Sequence, residues 1–590
     1  MMIARPLVAL AVAFSAAASS MIACSSGGSS TDAGRDGSDD ARRDATASDG
    51  PREARKDAED SATPADGGAP FLTELVVSSA AAAMDGSPPI TLVPPFSSSV
   101  HDYYVRCSAG TNPLVVTMAA SAGSQSLLAQ PTVSPSLPKQ TVSLTVNENQ
   151  AIVAAATNVT ATTEYWVRCL PHDFPLLRMS VHPEAGAPSP GYYLVGNSWL
   201  QAGESAGYAM VLNRDGVPVW YARSQTGFGV FDVDSVVSGS VSFRPSSTAA
   251  NFLVDEPFAI HQLGPSTTLD VQPMGYLADE HELRALSSGN FLVLSYPSKS
   301  GFDLTGLSLP LPDGGAQPLG PSSVIQDCVV VELEPSGHVV WTWAASDHFG
   351  PSQDTTFVAT GLGYGEGSDA GVVYDVFHCN SIDVDPSNDA LLVSARYMDS
   401  IFYVDRVTGG VMWKMGGATA TKDKATYVSA ADPFFRQHDA RLLPGWLPKC
   451  NGGTGQISMF DDQSQGPGPA RGVVYDVIVG LGDGGSPAEG GCGDGGMPEG
   501  GSSGAASVAW QYKGSTSSSA AGSFRISADG SRVIGWGFGG MPHLVLSEVD
   551  IAGNDRLDFE FTDGNESYRA IKVPLTALDR TAMRATAGLP

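Results

Sequence analysis

The sequence lacks long hydrophobic runs, an excess of basic charge and closely spaced cysteine pairs. After residue 23, no run approaches the roughly 20 apolar residues that a helix needs to cross a bilayer. The net charge of −29 argues against nucleic acid as a partner, because phosphates repel such an acidic chain. None of the seven cysteines forms a CxxC pair, so we predict no zinc site of that kind.

Segments with helical periodicity are also scarce, whereas glycine and proline are abundant. The chain of 590 residues contains 67 Gly and 40 Pro and is 42% apolar. Turn residues at this frequency favour short strands joined by tight turns, and the apolar fraction is enough for a sizeable core. The composition therefore predicts an all-β protein.

The N-terminus has the pattern of an export signal. Arg5 precedes an apolar stretch, Pro6 to Ala23, which is too short for a membrane span. The segment "MIAC", ending at Cys24, resembles a bacterial lipobox. We predict a signal peptide over residues 1–23, a lipid on Cys24, and anchoring in the bacterial cell envelope (outer membrane or periplasmic face); ordinary signal cleavage nearby is the alternative. This lipid is the only membrane contact that we expect.

An exported protein lies in an oxidising compartment, where disulfides persist. Cys107 ends the segment "YYVRC" and Cys169 ends "YWVRC". Two similar strands that both end in cysteine make Cys107–Cys169 the predicted disulfide. The other cysteines besides Cys24 are left unassigned: Cys328, Cys379, Cys450 and Cys492.

Three regions follow the signal peptide. Residues 24–70 contain almost no apolar side chains, so they cannot offset the entropy cost of folding and are predicted to be a disordered linker. Residues 71–170 alternate apolar and polar side chains between Pro and Ser clusters, which predicts a small β-sandwich domain. Residues 171–590 form a third region with a repeat.

The repeat is a hairpin in which a turn glycine precedes a tryptophan by four residues. It occurs as "RDGVPVW", "PSGHVVW" and "VTGGVMW", ending at Trp220, Trp341 and Trp413, with a weaker copy in "VDIAGNDRLDFEF". Each hairpin follows another strand pair, so a unit has about four strands, which is typical of a β-propeller blade. Six blades are predicted: 191–224, 225–275, 280–345, 377–417, 436–513 and 523–572. A Gly-rich insert in the fifth is predicted to be a surface loop.

Histidine stands at the head of three successive units, as His281, His378 and His438. The first strand of each propeller blade lines the central channel, so equivalent positions should converge there. Asn380 follows His378 by two residues and shares its side of the strand, and Arg396 lies on the next strand. Each histidine alone has a structural interpretation, but the repeat does not by itself require histidine at this place.

The arginine favours an anion over a metal. Three histidines are a possible zinc set, yet a guanidinium beside them would repel a dication. A tetrahedral oxyanion, in contrast, is gripped by Arg396 through two hydrogen bonds. A neutral histidine beside a bound sulfate or phosphate is also a competent nucleophile.

Four segments resemble the bacterial arylsulfate sulfotransferase family, the type that uses no adenylyl sulfate donor. They are "DEHELRALSSGNFLVL", "FHCNSIDVDPSNDALLVSARYMDSIFYVDRVTGGVMWKMGG", "FFRQHDARLLPG" and "RVIGWG", and they lie in order between about residues 185 and 575. The resemblance implies a six-bladed propeller, often preceded by a β-sandwich. It also implies transfer of a sulfuryl group from an aryl sulfate to a phenolic acceptor through a sulfohistidine, without a cofactor.

The resemblance also assigns roles to residues. It implies that His438 is the nucleophile, that His281 is the general acid and base, and that His378, Asn380 and Arg396 hold the sulfate oxygens. For a further hydroxyl contact of the family, Ser523 is a suggestion only. Cys379 is expected to point away from the channel, so that its change to serine leaves the chemistry nearly unaffected. The partners are small molecules, and a homodimer is left open.

Two other classes remain open. A non-catalytic surface propeller would use the same residues to bind a sulfated or phosphorylated ligand; it would release no phenol from an aryl sulfate. A quinoprotein dehydrogenase is suggested by "VDRVTGGVMW", which resembles the tryptophan-docking repeat of that class. Only one good copy of that repeat occurs, and absorbance of a bound quinone would be its evidence.

Overall fold

The computed structural model describes residues 68–588 except 199–205, 225–228, 247–255, 362–363, 369–370, 420–421, 449–452, 481–502 and 542. The elements given below lie in one unit, formed by residues 69–311 and 316–590. The predicted signal peptide, most of the linker, Cys24, Cys450, Cys492 and most of the Gly-rich insert lie outside the described residues. No helix in the described part is long and apolar enough to cross a membrane.

Residues 72–170 form two sheets. Their strands are β1 Leu72–Ser79, β2 Asp102–Arg106, β3 Thr111–Ala120, β4 Gln125–Gln130, β5 Lys139–Asn147, β6 Ala151–Thr157 and β7 Thr162–Leu170. One sheet has the order β1-β3-β5 and the other β2-β7-β6-β4. Alternation along β3 buries Leu114, Val116 and Met118 in the cluster that fills the space between these sheets.

The predicted disulfide Cys107–Cys169 is confirmed, and the pairing of strands explains it. β2 and β7 are parallel neighbours, with Val105 opposite Cys169. The two similar segments therefore run side by side and end together, with 5.5 Å between the Cα atoms of the two cysteines. Disulfides indicate a protein of an oxidising, extracytoplasmic compartment.

The rest of the chain is also built of strands. Up to residue 344 these are β8 Leu177–Val181, β9 Tyr192–Gly196, β10 Tyr208–Leu212, β11 Pro218–Arg223, β12 Gly229–Asp234, β13 Ser240–Ser246, β14 Phe258–Gln262, β15 Thr267–Val271, β16 Leu283–Ala285, β17 Phe291–Ser295, β18 Ser298–Phe302, β19 Ser308–Pro310, β20 Ala316–Pro318, β21 Ser323–Gln326, β22 Val329–Leu333 and β23 Val339–Ala344.

Beyond residue 344 they are β24 Ala359–Gly361, β25 Val373–Asp375, β26 Cys379–Val384, β27 Leu391–Ala395, β28 Ser400–Val404, β29 Val411–Met415, β30 Thr426–Ala430, β31 His438–Leu442, β32 Thr454–Asp461, β33 Arg471–Ile478, β34 Gly504–Lys513, β35 Ser523–Ile526, β36 Arg532–Gly535, β37 Leu544–Val549, β38 Asp555–Phe561 and β39 Ala570–Val573. The helices are short: α1 Ala80–Asp85, α2 Ala345–His348, α3 Pro351–Asp354 and α4 Arg580–Thr586. The all-β prediction is confirmed.

Each of the six predicted units contains one antiparallel sheet core. The orders are β11-β10-β9-β39, β12-β13-β14-β15, β16-β17-β22-β23, β26-β27-β28-β29, β31-β32-β33-β34 and β35-β36-β37-β38-β8, and β30 joins the fourth sheet to the fifth. The first sheet thus takes its edge strand from the C-terminus, and the last takes β8 from before the repeat. Among the residues that the structure describes, backbone hydrogen bonds do not join the sheets into a continuous ring, so the six-bladed closure remains a prediction.

The repeated Gly and Trp have a common local cause. The turn glycines Gly216, Gly337 and Gly409 all have φ between +74° and +88°, a left-handed conformation that glycine adopts without steric cost. The strand pairing shifts register near each of these turns. Trp220 and Trp413 are then fully buried between sheets.

A four-stranded sheet and the two-stranded sheet β19-β20 were not predicted. β18, β21, β25 and β24 form a separate four-stranded sheet, drawn from the chain between β17 and β22 and from the chain between β23 and β26. Its strand β25 ends at Asp375, three residues before His378. This accessory sheet therefore leads the chain directly into the region of the predicted site.

Candidate active site

The structure brings together the three histidines that head successive sheets. The ring centroids of His281 and His378 lie 5.0 Å apart, and those of His281 and His438 lie 6.4 Å apart. His281 lies two residues before β16, the first strand of its sheet. His378 lies one residue before β26, and His438 is the first residue of β31. Equivalent places in neighbouring sheets thus converge, although the histidines are up to 157 residues apart in the chain.

Each histidine is paired with an aspartate through Nδ1. Nδ1 of His438 lies 3.0 Å from Oδ1 of Asp462, and Nδ1 of His378 lies 2.5 Å from Oδ2 of Asp375. Nδ1 of His281 contacts Oδ1 of Asp279. Because Nδ1 is occupied in all three rings, Nε2 is the nitrogen left for a ligand.

The backbone around the site is held in an uncommon conformation. His378 has φ +52°, and Arg436, two residues before His438, has φ +59°. Non-glycine residues in this region cost about 1–3 kcal/mol each and persist only where the surroundings fix them. Gln437 supplies such fixation, since its Nε2 donates to the carbonyls of Ala395 and Ser400 on the neighbouring sheet.

Arg396 lies at the same end of the sheets and is nearly buried. Its Nη2 donates to the Ser519 carbonyl over 2.6 Å and to Ser464 Oγ over 3.2 Å. Its Nε lies 3.8 Å from Oδ2 of Asp462 and has no hydrogen-bond partner in the described part of the chain. Part of the guanidinium is therefore available to an anion beside His438.

Asn380 and Ser523 are engaged in holding strands together. Nδ2 of Asn380 donates to the Gln437 carbonyl over 2.7 Å, which ties β26 to the segment that carries His438. The hydroxyl of Ser523 is fully buried; it donates to the Ala570 carbonyl and accepts from the Ala570 amide. Ser523 thus joins β35 to β39 rather than contacting the histidines.

Buried ion pairs join the first strands of the sheets beside the histidines. Nη1 of Arg569 lies 2.7 Å from Asp232 and 2.9 Å from Glu282, and its Nη2 donates to the Asn380 carbonyl over 2.7 Å. Arg441 pairs with Glu282 over 2.7 Å. The central network, as we name it, consists of Asp232, Glu282, Asn380, Asp439, Arg441, Arg525 and Arg569. Each of the six sheets contributes at least one member from one edge strand or the residue beside it; these strands are β39, β12, β16, β26, β31 and β35.

Burial and positive neighbours lower the pKa of His438 and of His281. The pKa of His438 lies well below its usual value because the ring is buried and because Arg396, His281, His378 and Arg569 are close. Burial also lowers the pKa of His281, with further lowering from His378 and Arg569, while Asp279 opposes the shift. A neutral imidazole with a free Nε2 is a nucleophile and a base.

Aromatic side chains form the walls around the rings. Tyr568 packs edge-on against His281 and His438, with centroid distances of 5.5 and 6.4 Å. Tyr397 lies 4.6 Å from His378, and Phe357 lies 5.0 Å from Tyr397. Such walls exclude water, which strengthens electrostatic interactions within the site.

A second disulfide, Cys328–Cys379, was not predicted. The sulfur of Cys379 is bonded to Cys328 within a hydrophobic cluster shared by the third and fourth sheets. The expectation that a change to serine costs little did not take this bond into account. Since Cys379 directly follows His378, this bond fixes the strand that carries that histidine.

In the described part of the chain, no group of three or more His, Cys, Asp or Glu side chains is arranged to hold a metal ion. The carboxylates near the histidines lie at Nδ1 and so orient the rings. The arrangement of Nε2 atoms and a guanidinium has the chemistry of an anion site.

The family model described as arylsulfotransferase (ASST) matches residues 257–480. This match supports membership of the arylsulfotransferase family. The matched range contains the three histidines, Asn380, Arg396 and the three aspartates, whereas Tyr568 and Arg569 lie beyond it. Family membership supports transfer of sulfuryl groups as the general activity of an arylsulfotransferase.

No curated protein matches the chain. Among solved structures, a DUF4623 family protein from Bacteroides eggerthii is 10% identical with a TM-score of 0.27, covering 83% of this chain and 97% of that one. An auxiliary nutrient binding protein from Bacteroides thetaiotaomicron is 9% identical with a TM-score of 0.26, covering 78% and 96%. At these TM-scores neither structure supports an argument about this chain.

Several residues of the site were not predicted from the sequence. The histidines were found by their repeat, but their partners Asp279, Asp375 and Asp462 follow no common spacing. Asp279 and Asp375 precede their histidines by two and three residues, which is a signal only after the histidines are known. Tyr568 enters from the C-terminal end of the chain, where no repeat position predicts it.

Proposed function

We propose that this protein moves a sulfuryl group from an aryl sulfate to a phenol, through a sulfohistidine at His438 and without an adenylyl sulfate donor. The observation that carries the proposal is the cluster of three imidazoles beside Arg396, within the range that matches the family. A nucleophile, an acid and a guanidinium for the sulfate oxygens are the parts that two-step sulfuryl transfer needs.

In the first step, Nε2 of His438 attacks sulfur. The S–N bond forms as the bond from sulfur to the aryl oxygen breaks, and the departing phenoxide takes a proton from the His281 imidazolium. Charge spreads over the equatorial sulfate oxygens in such transfers, as in phosphoryl transfer. Arg396 and His378 are proposed to stabilise those oxygens, with Asn380 beside them.

In the second step, the acceptor phenol replaces the departed phenol. Its hydroxyl gives a proton to neutral His281, its oxygen attacks sulfur, and the S–N bond breaks. His438 returns to its neutral form and His281 to its protonated form, so atoms and protons balance over the cycle. A phenol has a pKa of about 10, so its activation needs a base at this place.

We also propose that the six sheets are the blades of a closed propeller over residues 171–590, preceded by a β-sandwich domain over 71–170. Pairing of β39 with β9 and of β8 with β38 supports closure, because strands from one end of the region complete the sheets of the other. The central network supports it as well, since each of the six sheets contributes a member from one edge strand or from the residue beside that strand.

A lipid anchor on Cys24 in the cell envelope is a further proposal, supported by the lipobox-like segment and by the disulfides. The donor is proposed to be a small aryl sulfate and the acceptor a phenol.

Incubation with 4-nitrophenyl sulfate and a phenol acceptor tests the activity. We expect nitrophenol release that depends on the acceptor, together with a sulfated acceptor. Mass spectrometry after brief exposure to the donor alone should find one added sulfuryl group on the peptide that contains His438.

Other outcomes would contradict the proposal in distinguishable ways. Release of nitrophenol without acceptor would indicate hydrolysis, with water as the acceptor. Tight binding of the donor without any release would indicate a non-catalytic binding protein.

A further inference from the structure

We propose that Asp462 is a positioning residue that determines which nitrogen of His438 reacts. This inference rests on the proposed function, and it adds a residue to which neither the sequence motifs nor the resemblance gave a role. Oδ1 of Asp462 lies 3.0 Å from Nδ1 of His438, and both side chains are almost completely buried. An ionised carboxylate only accepts hydrogen bonds, so it requires the proton on Nδ1 and leaves the lone pair on Nε2.

The strand pairing delivers Asp462 to this place. β31 and β32 are antiparallel, with His438 opposite Phe460. Asp462 lies two residues beyond Phe460 and therefore on the same side of the strand. Its backbone carbonyl accepts from the Ser518 amide over 2.9 Å, which holds the end of β32. The carboxylate is thus fixed by the fold itself, independently of His438.

The Arg396 guanidinium favours the ionised form of Asp462 that the proposal requires. Burial raises the pKa of Asp462 well above its usual value, and Arg396 is the largest influence that lowers it. Oδ2 of Asp462 has no hydrogen-bond partner in the described part of the chain and lies 3.8 Å from Nε of Arg396. One carboxylate therefore faces the nucleophile with one oxygen and the anion-binding arginine with the other.

This geometry makes asparagine worse than alanine at position 462. In Asp462→Asn, the donor Nε of Arg396 favours the amide oxygen on its own side, which turns the amide NH2 toward His438. Nδ1 must then accept a hydrogen bond, and the proton moves to Nε2, where it removes the nucleophilic lone pair. In Asp462→Ala, either tautomer can form. In a comparable His–Asp pair, exchange of the Asp for Asn lowers kcat about 10⁴-fold through the wrong tautomer.

The first half-reaction is the assay. Purified full-length protein is mixed rapidly with 4-nitrophenyl sulfate without acceptor, and the burst of nitrophenol reports sulfohistidine formation. We expect the burst rate to fall by about 10³-fold or more in Asp462→Asn and by about 10- to 100-fold in Asp462→Ala. Asp385→Asn is the matched control, because Asp385 is equally buried but accepts from the Tyr403 hydroxyl. Thermal melting checks that every variant is folded.

An Asn variant as fast as the Ala variant, or within threefold of the wild type, would overturn the inference. A wild-type protein that shows no burst would overturn the proposed function instead, so the two failures are separate.

A second measurement needs no variant. Wild-type protein labelled with ¹⁵N-histidine is sulfated and digested at alkaline pH, and two-bond ¹⁵N–¹H couplings of the His438 peptide identify the substituted nitrogen. Sulfation of Nε2 is expected, and sulfation of Nδ1 would contradict the role of Asp462.

Discussion

Removal of the Cys328–Cys379 disulfide should reduce both stability and activity, whereas removal of Cys107–Cys169 should reduce stability alone. The two bonds close chain segments with sequence separations of 51 and 62 residues. The chain-entropy relation gives about 4 kcal/mol for each of these separations, so the two Ser/Ser double variants should be destabilised alike.

The expected loss of activity has a separate origin. His378 holds a left-handed backbone conformation, with φ +52°, directly before Cys379. Such a conformation stores about 1–3 kcal/mol and is kept only by its surroundings. If the strand relaxes when the disulfide is absent, the His378 ring leaves its position beside His281. A loss of about 1.4 kcal/mol of transition-state stabilisation corresponds to a tenfold lower rate.

Urea unfolding measures the stability of each double variant, and the nitrophenol assay measures the activity at urea concentrations where all variants are folded. The Cys107–Cys169 variant is the matched control, because its loop is of similar length and its sulfurs lie in the core formed by residues 72–170. Equal loss of stability with wild-type activity in the Cys328/Cys379 variant would refute the positional reasoning. If both double variants were as stable as the wild type, the chain-entropy estimate would be refuted.

Three further predictions concern the site itself. His438→Ala should abolish transfer and the added mass on its peptide, because the proposed intermediate forms on Nε2 of His438; appreciable residual transfer would mean that the nucleophile is another residue. Arg396→Ala should lower the rate about a hundredfold or more with little change in melting temperature, and an equal loss of stability would instead make Arg396 structural. With 4-nitrophenyl sulfate, the burst rate should stay constant from pH 8 to pH 6, since the lowered pKa of His438 keeps the ring neutral there. Unsubstituted phenyl sulfate has a leaving group that needs an acid. With this donor the burst rate should rise as the pH falls below about 6.5, because the lowered pKa of His281 confines the protonated form of His281 to that range.

The repeat made the sheets and the histidines predictable. A glycine with positive φ at each turn and a tryptophan four residues later are local requirements, so they recur wherever the same hairpin recurs. Because the histidines occupy matching places relative to these hairpins, their convergence followed from the register alone. The pair Cys107–Cys169 was predictable for the same reason, since its two strands are similar in sequence and adjacent in the sheet.

The residues that orient the histidines could not be predicted in this way. The chain contains 62 acidic residues, and an aspartate beside a histidine looks the same in the sequence whether it is solvated or buried. The accessory sheet and the pairing of β39 with β9 depend on contacts between distant segments, which no local pattern encodes. The bond Cys328–Cys379 depends on the same kind of contact, because it joins two different sheets.

The net charge of −29 indicates little about the ligand of this site, because the local charges are arranged differently. Carboxylates near the rings are occupied by Nδ1 atoms or by arginines, so the positive groups dominate the space around Nε2. Arg569 has both a structural and an electrostatic effect. It binds Asp232, Glu282 and the Asn380 carbonyl. It also lowers the pKa of His281 and of His438. A cation that was needed only to connect strands would have no reason to lie beside two imidazoles. Its position implies that assembly of the central network and neutrality of the nucleophile arise together when the sheets pack.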